Sequence, residues 1–201
     1  MTNQTNQFNL LIVGTGGQGQ ITLLQVLAEA ALAENLDFRS SELHGLSQRG
    51  GSVEVHIRFG REIHSPMVSP GKVDLILGLE AQEGLSALNF AGPDTKLLIN
   101  QYVIPFQGGL TEEDVFNRLK KASPDVFLTS ANEICRKELT TDVVAGIYLI
   151  SLAAFKKLIP LKPASIQAAL KKIIPEKFLE LNLKAFNLAR QAEPESKNRL
   201  V

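Results

Sequence analysis

The fold of this 201-residue chain is decided by residues 8–20, which read Phe8-Asn9-Leu10-Leu11-Ile12-Val13-Gly14-Thr15-Gly16-Gly17-Gln18-Gly19-Gln20. The apolar run is short and ends in glycines, which is typical of a buried parallel strand that leads into a tight turn. The apolar residues that follow, up to about residue 35, recur at helical spacing. The stretch therefore predicts a strand, a turn and a helix, the opening unit of a sheet covered by helices.

The turn fits the G-x-G-x-x-G pattern, with its glycines at Gly14, Gly16 and Gly19. In that pattern the glycines permit the turn and let a phosphate approach the bare backbone, while the amides at the helix start favour an anion. The same glycines also suit a packing turn that binds no ligand, so both interpretations stay open. Gly17 is one small residue more than packing requires, and Gln18 and Gln20 put amide side chains where a dinucleotide site usually has apolar ones.

Length and composition bound the class of protein. Hydrophobic residues make up 44% and charged residues 21% of the chain, as in an ordinary globular protein. We expect one domain over residues 1–201, with an α/β sheet core over 8–140 and C-terminal helices over 141–192. The N-terminus has no signal-peptide order, no apolar run has membrane-spanning length, and the single cysteine, Cys135, cannot form an intramolecular disulfide. A cytoplasmic protein without a membrane partner is therefore expected.

Charge is unevenly distributed, although the formal net charge is zero. Residues 151–201 carry 10 Lys and Arg against 4 Asp and Glu. This basic quarter suits a phosphate-bearing ligand or an acidic partner, and it equally suits a solvated lysine face on amphipathic helices. Nucleic acid is not expected as a partner, because the chain has no recognised binding motif, no Trp and little aromatic interleaving.

A second glycine loop follows the second predicted strand, Asp37 to Leu43. It lies within the stretch Ser41-Glu42-Leu43-His44-Gly45-Leu46-Ser47-Gln48-Arg49-Gly50-Gly51-Ser52-Val53. Gln48 and Arg49 precede the paired glycines Gly50 and Gly51, and together they offer donors and a freely shaped backbone to an anion. Glu42 falls roughly where a dinucleotide fold places its ribose-binding carboxylate. The polar alternation around it indicates instead a strand face at a cleft, an edge or a partner.

Residues 52–59 alternate between apolar and polar side chains, which predicts a further strand. Gly60-Arg61 predicts a turn into a short second strand, Glu62 to His64, and hence an antiparallel hairpin inserted into an otherwise parallel sheet. His56 and His64 would then face each other across the hairpin. Because no third ligand is evident, they are interpreted as surface residues and not as a metal site.

Glu80 follows a buried strand over residues 73–79, at the end where open α/β sheets bind ligands. It fits equally well as a carboxylate that the helix dipole favours at a helix N-terminus. Further strands are predicted over 95–100 and 125–129, and helices from about residue 143 onwards. The predicted fold is thus α/β: a Rossmann-like, mostly parallel sheet with helices on both faces, an inserted β-hairpin and C-terminal helices.

The motifs of a free-standing catalyst are missing from the sequence. It contains no G-x-S-x-G, no H-E-x-x-H and no Walker lysine after the glycines. What it offers is glycine loops, amides, a loop arginine and polar residues at strand ends. This set is suited to holding an anion or a partner, and it assigns no catalytic or metal-binding residue.

Taken together, these motifs resemble the gamma-type subunit of 2-oxoacid:ferredoxin oxidoreductases. The resemblance spans nearly the whole chain and rests on the first glycine turn, residues 41–53, the Arg58 strand, Ser65-Pro66, residues 74–80 and residues 182–186. The glycine turn followed by Gln48-Arg49-Gly50-Gly51 is far more specific than a lone G-x-G-x-x-G. The sequence His44-Gly45-Leu46 favours the indolepyruvate, or aryl-pyruvate, branch of the family over the pyruvate branch.

The resemblance implies a subunit that works beside a larger one and is inactive alone. In such enzymes thiamine diphosphate in the partner decarboxylates the 2-oxoacid, iron–sulfur clusters pass electrons to ferredoxin, and coenzyme A accepts the acyl group. The lack of a cluster-binding cysteine set in this chain agrees with that division. The two glycine loops would lie at the subunit interface or at the coenzyme A phosphates, and a homodimer stays open for the isolated chain.

Two other classes of function stay open at this point. One is a free-standing NAD(P)- or FAD-binding oxidoreductase, which the glycine pattern and Glu42 favour. The other is a non-catalytic interaction module that has kept the fold. The residues predicted to bind a cofactor or to lie at a subunit interface are Gly14, Gly16, Gly17, Gln18, Gly19, Glu42, His44, Gln48, Arg49, Gly50, Gly51 and Glu80.

Overall fold

The computed structural model describes residues 7–45, 50–106, 108–123 and 125–192. Its centre is a six-stranded sheet in the order β2-β3-β1-β4-β5-β6. The strands are β1 (Gln7–Thr15), β2 (Asp37–His44), β3 (Ser52–Gly60), β4 (Val73–Gly78), β5 (Ala91–Asn100) and β6 (Val126–Thr129). β1, β4, β5 and β6 pair in parallel, whereas β3 is antiparallel to both of its neighbours. The predicted α/β class with a mostly parallel sheet is confirmed.

Helices cover both faces of this sheet. They are α1 (Gln20–Ala33), α2 (Ala81–Ser86), α3 (Glu112–Ala122), α4 (Ala131–Leu139), α5 (Ala145–Phe155), α6 (Pro163–Ile173) and α7 (Glu176–Gln191). Residues of α1, α4, α5, α6 and α7 share one hydrophobic core with one sheet face. Residues of α2 and α3 pack on the other face. None of the helices in the described ranges is long and apolar enough to cross a bilayer.

The apolar run of β1 is continuous because both faces of this strand are buried. Leu10 and Ile12 lie in the core beneath α1 and α5, whereas Leu11 and Val13 lie in the core beneath α2 and α3. Successive side chains of a strand point to opposite faces, so a strand covered on both sides needs apolar residues at every position. These four side chains are at most 1% exposed, and each such burial stabilises the fold by about 2 kcal/mol.

The inserted hairpin exists, but its predicted second arm is wrong. Residues 62–64 form no strand, and β3 instead pairs with β2 on one side and with β1 on the other. The antiparallel hairpin therefore consists of β2 and β3, joined through residues 45–51. Alternation identified β3 and its apolar face correctly, but it carries no information about which distant strand β3 would pair with.

His56 is fully buried, so its interpretation as a surface residue is wrong, whereas His64 is exposed as expected. The connection between β3 and β4 returns over the polar face of β3, where the Val68 N–H donates to His56 Nδ1 at 3.3 Å. The ring of Phe90 meets the imidazole edge to face, with 5.2 Å between centroids. The two histidines therefore do not face each other.

Candidate functional site

The carboxyl ends of β1, β4, β5 and β6 meet at one edge of the sheet, here called the carboxyl edge. Because β3 runs in the opposite direction, its first residue, Ser52, pairs with Thr15 at this same edge. The Gly16 N–H donates to the Gly51 carbonyl oxygen at 2.9 Å. The two glycine loops that the sequence singled out are thus neighbours in the structure and share one surface.

The two unusual glutamines of the first turn are used inside the turn. Gln18 Oε1 accepts a hydrogen bond from the Thr15 N–H, and Gln20 Nε2 donates to the Thr15 carbonyl, each at 2.8 Å. These bonds satisfy backbone groups of the strand end where the ladder stops. A Cβ on Gly14 would lie 2.4 Å from Gln18 Oε1, so the bare α-carbon of Gly14 leaves room for this folded-back amide. Gln18 and Gln20 therefore shape the turn.

The helix that follows starts without a side-chain cap from any of the described residues. Gly17 and Gly19 have φ of +100° and +80°, and no heavy atom lies within 4 Å of a Cβ built on either. Gly19 is the N-cap of α1; no side chain in the part of the chain that the structure describes caps this end, and no acidic residue lies in the first turn of α1. The first amides of a helix have no partner within the helix, and its dipole favours negative charge there. This end of α1 is accordingly suited to an anion.

A cavity of about 270 Å³ opens beside this turn. Its polar wall is formed by Asn100 at the end of β5, Asn132 in α4 and Asp142 before α5. Apolar residues, among them Leu79 and Val143, form the remainder. The cavity is therefore part apolar and part polar, with the open end of α1 at its rim.

Hydrogen bonds join the polar side chains of this wall, and one buried oxygen among them has no partner in the described residues. Asn100 Nδ2 donates to the Leu79 carbonyl at 3.0 Å and to Asn132 Oδ1 at 2.6 Å. Asn132 Nδ2 donates to Asp142 Oδ2 at 3.0 Å, and Arg136 pairs with the same carboxylate. Asn100 is 1% exposed, and its Oδ1 has no hydrogen-bond partner among the described residues. In the sequence, position 100 is simply the last residue of a predicted strand, and nothing there indicates this orphaned oxygen.

Glu80 has a structural role at the carboxyl edge, where its carboxylate caps a helix and binds the segment after β5. It is the N-cap of α2, and its Oε2 accepts from the Glu83 N–H at 2.8 Å. Its Oε1 accepts from the Ile104 N–H at 3.0 Å, which fastens the segment after β5 to the start of α2. Burial raises the pKa of the Glu80 carboxyl, although the backbone N–H groups of Glu83, Ile104 and Gln82 act in the opposite direction. This geometry matches the helix-terminus interpretation of Glu80.

Glu42 and His44 lie at the end of the edge strand β2, where His44 Nε2 is 3.3 Å from Glu42 Oε2. β3 separates β2 from β1, so Glu42 is two strand spacings, about 10 Å, from Ile12 of β1. A dinucleotide fold places its second strand directly beside the first. Glu42 therefore does not flank the turn as a ribose-binding carboxylate would. Gln48 and Arg49 lie outside the described residues.

A larger groove, about 460 Å³, lies at the opposite edge of the sheet. Its polar groups are paired with one another: the Arg58 guanidinium donates to Asn9 Oδ1, Gln7 Oε1 and the Ser65 carbonyl at 2.8 to 2.9 Å. Asp74 accepts from the Asn9 N–H at 2.6 Å. These contacts tie β1, β3 and β4 together and make this groove part of the scaffold.

The described residues contain no group of three or more His, Cys, Asp or Glu side chains that could hold a metal ion. Cys135 is buried, and burial raises the pKa of its thiol to about 11. A thiol with this pKa is almost entirely protonated at neutral pH and is a poor nucleophile. Within the described ranges, the carboxyl edge thus brings together glycine turns, amide side chains and the open start of α1, which are suited to holding a ligand.

The fold and the carboxyl edge together define an α/β protein with a glycine-rich strand–turn–helix unit, whose helix start is suited to an anion, and a second glycine loop beside it. Residues 9–192 match the family described as pyruvate ferredoxin/flavodoxin oxidoreductase, and the chain belongs to this family.

Curated relatives are similar over almost their whole length. The chain is 31% identical over 192 residues to the indolepyruvate oxidoreductase subunit IorB of Archaeoglobus fulgidus, which covers 90% of this chain and 93% of that one. It is also 31% identical over 196 residues to the subunit of the same name from Thermococcus kodakarensis, covering 94% and 97%. The resemblance inferred from the motifs is thereby confirmed.

Solved structures share the fold. The pyruvate oxidoreductase subunit PORC of Thermotoga maritima aligns with a TM-score of 0.68 at 19% identity, covering 92% of this chain and 96% of that one. The 2-oxoglutarate:ferredoxin oxidoreductase of Magnetococcus marinus, solved with 2-oxoglutarate, coenzyme A and succinyl-CoA bound, aligns with a TM-score of 0.69 at 17% identity. That alignment covers 95% of this chain but 33% of the other, so this chain spans about a third of the larger protein's length.

Proposed function

We propose that this chain acts, as a single gamma-type domain, in a cytoplasmic 2-oxoacid:ferredoxin oxidoreductase that oxidises indolepyruvate or a related aryl-pyruvate to its acyl-CoA. Thiamine diphosphate and the iron–sulfur clusters belong to a larger partner subunit, from which electrons pass to ferredoxin. The chain by itself is inactive. The observation that carries this proposal is the carboxyl edge, where two glycine loops and an uncapped helix are assembled without an activated catalytic group in the described residues.

The chemistry of this chain does not fit an iron–sulfur cluster. Clusters are held by several Cys thiolates, and the sequence contains a single cysteine, which is buried with its pKa raised to about 11. A partner that supplies the clusters is therefore needed for electron transfer to ferredoxin. The naming of the relatives as subunits of indolepyruvate oxidoreductase supports both the partner and the substrate class.

Coenzyme A fits the carboxyl edge better than NAD does. Its phosphates suit the open N-terminus of α1 and the adjoining loop at Gly50 and Gly51, while NAD would need a carboxylate beside the first turn, which Glu42 does not provide. Coenzyme A supplies the thiol that accepts the acyl group in this class of reaction. The role of this chain is to bind and orient the coenzyme, and the loop residue Arg49 is proposed to pair with one of its phosphates.

The test is isolation of the chain with its co-expressed larger subunit, followed by an assay of ferredoxin or dye reduction. Indolepyruvate, phenylpyruvate, pyruvate and 2-oxoglutarate are compared with and without coenzyme A. We expect fast, coenzyme-A-dependent reduction with the aryl-pyruvates and none with this chain alone. Equal rates for the larger subunit without this chain would contradict a contribution to turnover and would favour an interaction module.

A separate titration distinguishes the NAD(P) or FAD alternative. The purified chain is titrated with NADH, NADPH, FAD and coenzyme A by calorimetry. Micromolar affinity for a dinucleotide, combined with no affinity for coenzyme A in the chain or in the complex, would overturn the proposal.

A further inference from the structure

We propose that residues 66–70, here called the strap, are a pH-sensitive part of the fold: the strap is held on β3 while the imidazole of His56 is neutral, and it is released when the ring takes up a proton and pairs with Glu54. The strap belongs to the connection between β3 and β4, and its residues Val68 and Ser69 line the groove of about 460 Å³. Release would remove this wall of the groove. The device is separate from the carboxyl edge and does not depend on the ligand that binds there.

A single hydrogen bond joins the strap to the sheet in the described part of the chain. The Val68 N–H donates to His56 Nδ1 at 3.3 Å. Pro66 and Pro70 have no N–H group and cannot add further bonds of this kind. The strap is therefore held at its middle by one side chain, whose ability to accept depends on its protonation state.

Both ends of the strap are fastened without His56. Before it, the Arg58 guanidinium donates to the Ser65 carbonyl at 2.9 Å. After it, the Gly71 N–H donates to the Phe90 carbonyl at 2.9 Å. Neither of these bonds involves a group that gains a proton near neutral pH. The strap can therefore leave β3 while its two ends stay in place.

The Val68 bond shows which form of the imidazole is present. Nδ1 accepts a hydrogen bond, so it carries a lone pair, and the one proton of the neutral ring is on Nε2. A second proton can bind only at Nδ1, where it would point at the Val68 N–H. Two donors would then face each other, so protonation of His56 removes the hydrogen bond that holds the strap.

The other nitrogen of the ring has an acceptor just out of reach. Nε2 is buried without a hydrogen-bond partner among the described residues, and Glu54 Oε2 lies 3.7 Å away, too far for a hydrogen bond. Val68 and the uncharged ring of Phe90 hold the imidazole in this position. A hydrogen bond between two charged groups is about twice as strong as a neutral one, so the protonated ring gains more by closing this gap. Protonation thus exchanges Val68 for Glu54 as the partner of His56.

Glu54 is the only charged side chain among the described residues that acts on the pKa of His56: burial lowers this pKa and Glu54 raises it. The residues that pair with position 56 on the neighbouring strands are uncharged, Leu11 in β1 and Ser41 in β2. Arg58 lies on the same face of β3 and is bound by other partners. The other charged or titratable residues of the surrounding elements are Arg39 in β2, Arg61, Glu62, His64 and Lys72 in the connection, and Glu83 in α2.

The direction of the pH effect follows from these two states. An imidazole that the strap no longer covers has its ordinary pKa of about 6.5, whereas burial beneath the strap holds the pKa of His56 lower. Below about pH 6.5 the released state therefore binds a proton that the fastened state lacks. The released fraction should rise as pH falls, by up to about tenfold per pH unit.

Hydrogen exchange of the full-length chain, followed by NMR between about pH 7.5 and about pH 5.5, tests the proposal at single amides. The protection factor of the Val68 amide, which already corrects for the intrinsic pH dependence of exchange, should fall about tenfold over this range. The Ile63 amide is the internal reference, because it donates to Asp37 Oδ2 at 2.9 Å and this bond lowers the pKa of Asp37. Asp37 stays ionised throughout, so Ile63 should keep its protection.

Three variants separate the ring from the carboxylate. His56→Asn keeps an acceptor near the position of Nδ1 and cannot titrate in this range, so the protection of Val68 should no longer depend on pH. Glu54→Gln removes the partner of the charged ring and should shift the loss of protection to lower pH. The matched control is His64→Asn, since His64 is an exposed histidine in the same connection; its response to pH should equal that of the wild type.

The Glu54→Gln variant keeps the test decisive if His56→Asn fails to fold, because the Glu54 side chain is 32% exposed. The imidazole nitrogen shifts of the wild type add an independent measurement and should place the proton of the neutral ring on Nε2. A Val68 protection factor that stays constant with pH, or that falls equally in Glu54→Gln and the wild type, would overturn the proposal. So would an equal loss at Val68 and Ile63, which indicates unfolding of a larger region, or a neutral ring protonated at Nδ1.

Discussion

Gly14→Ala is expected to destabilise the protein by displacing the side chain of Gln18. The added Cβ would lie 2.4 Å from Gln18 Oε1, 3.0 Å from Gln20 Nε2 and 3.1 Å from Leu79 Cβ. The Gln18 amide must move away, so the Thr15 N–H loses its acceptor at 2.8 Å. We expect the free energy of unfolding to fall by about 2 kcal/mol, the sum of overpacking and one lost hydrogen bond.

A double-mutant cycle measures whether Gly14→Ala lowers the free energy of unfolding by displacing the Gln18 side chain. Gln18→Ala alone removes the same acceptor and should cost about 1 kcal/mol. Because the closest clash and the lost hydrogen bond both involve Gln18 Oε1, which Gln18→Ala removes, the double variant should lose little more than Gln18→Ala alone, between about 1 and 2 kcal/mol, instead of the additive value of about 3 kcal/mol. Urea denaturation of the four proteins, followed by circular dichroism, gives these differences.

The control pair is Gly84→Ala combined with Gln18→Ala. A Cβ on Gly84 would meet Ile99 Cδ1 at 2.8 Å and has no contact with Gln18, so these two losses should add. If the losses of Gly14→Ala and Gln18→Ala also add to within about 0.3 kcal/mol, the glycine is not required by the folded-back amide and the reasoning is refuted.

Three more predictions follow from the residues around the carboxyl edge and the covered face of β3. Arg49→Ala should lower coenzyme-A-dependent turnover of the complex and leave the unfolding midpoint of this chain unchanged; unaltered kinetics would remove its role as a phosphate partner. Glu80→Ala should speed hydrogen exchange of the Ile104 amide, which loses its acceptor, and wild-type protection there would contradict this. Burial lowers the pKa of His56 from its ordinary 6.5 although Glu54 raises it, so the unfolded chain binds the proton more readily. The free energy of unfolding should therefore fall as pH drops below about 6.5, and less so in His56→Gln; equal pH slopes would contradict this.

Local sequence was sufficient where structure depends on near neighbours. The strand–turn–helix at residues 8–33 follows from a bounded apolar run, glycines and helical spacing. The α3 cap follows from Thr111, whose hydroxyl accepts from the Asp114 N–H at 3.1 Å. The resemblance, and not local sequence, implied a common location for the two glycine loops; in the structure the Gly16 N–H donates to the Gly51 carbonyl.

What the sequence could not provide depends on distant partners. Alternation in β3 identified a strand, but its insertion between β1 and β2 depends on pairings with residues 7–15 and 37–44. The burial of His56 depends on a covering segment that passes over its face at Val68. The orphaned oxygen of Asn100 results from contacts with Leu79 and Asn132, which lie 21 and 32 residues away in sequence.

The position of β3 also has a consequence for folding during synthesis. β1 is made first, yet its neighbours are β3, which ends at Gly60, and β4, which ends at Gly78. At about 5–20 residues per second, the first strand waits several seconds for either neighbour to leave the ribosome. Loop closure over such separations slows pairing further. The glycine turn can form locally in that time, but the surface it shares with the second loop is completed only together with the centre of the sheet.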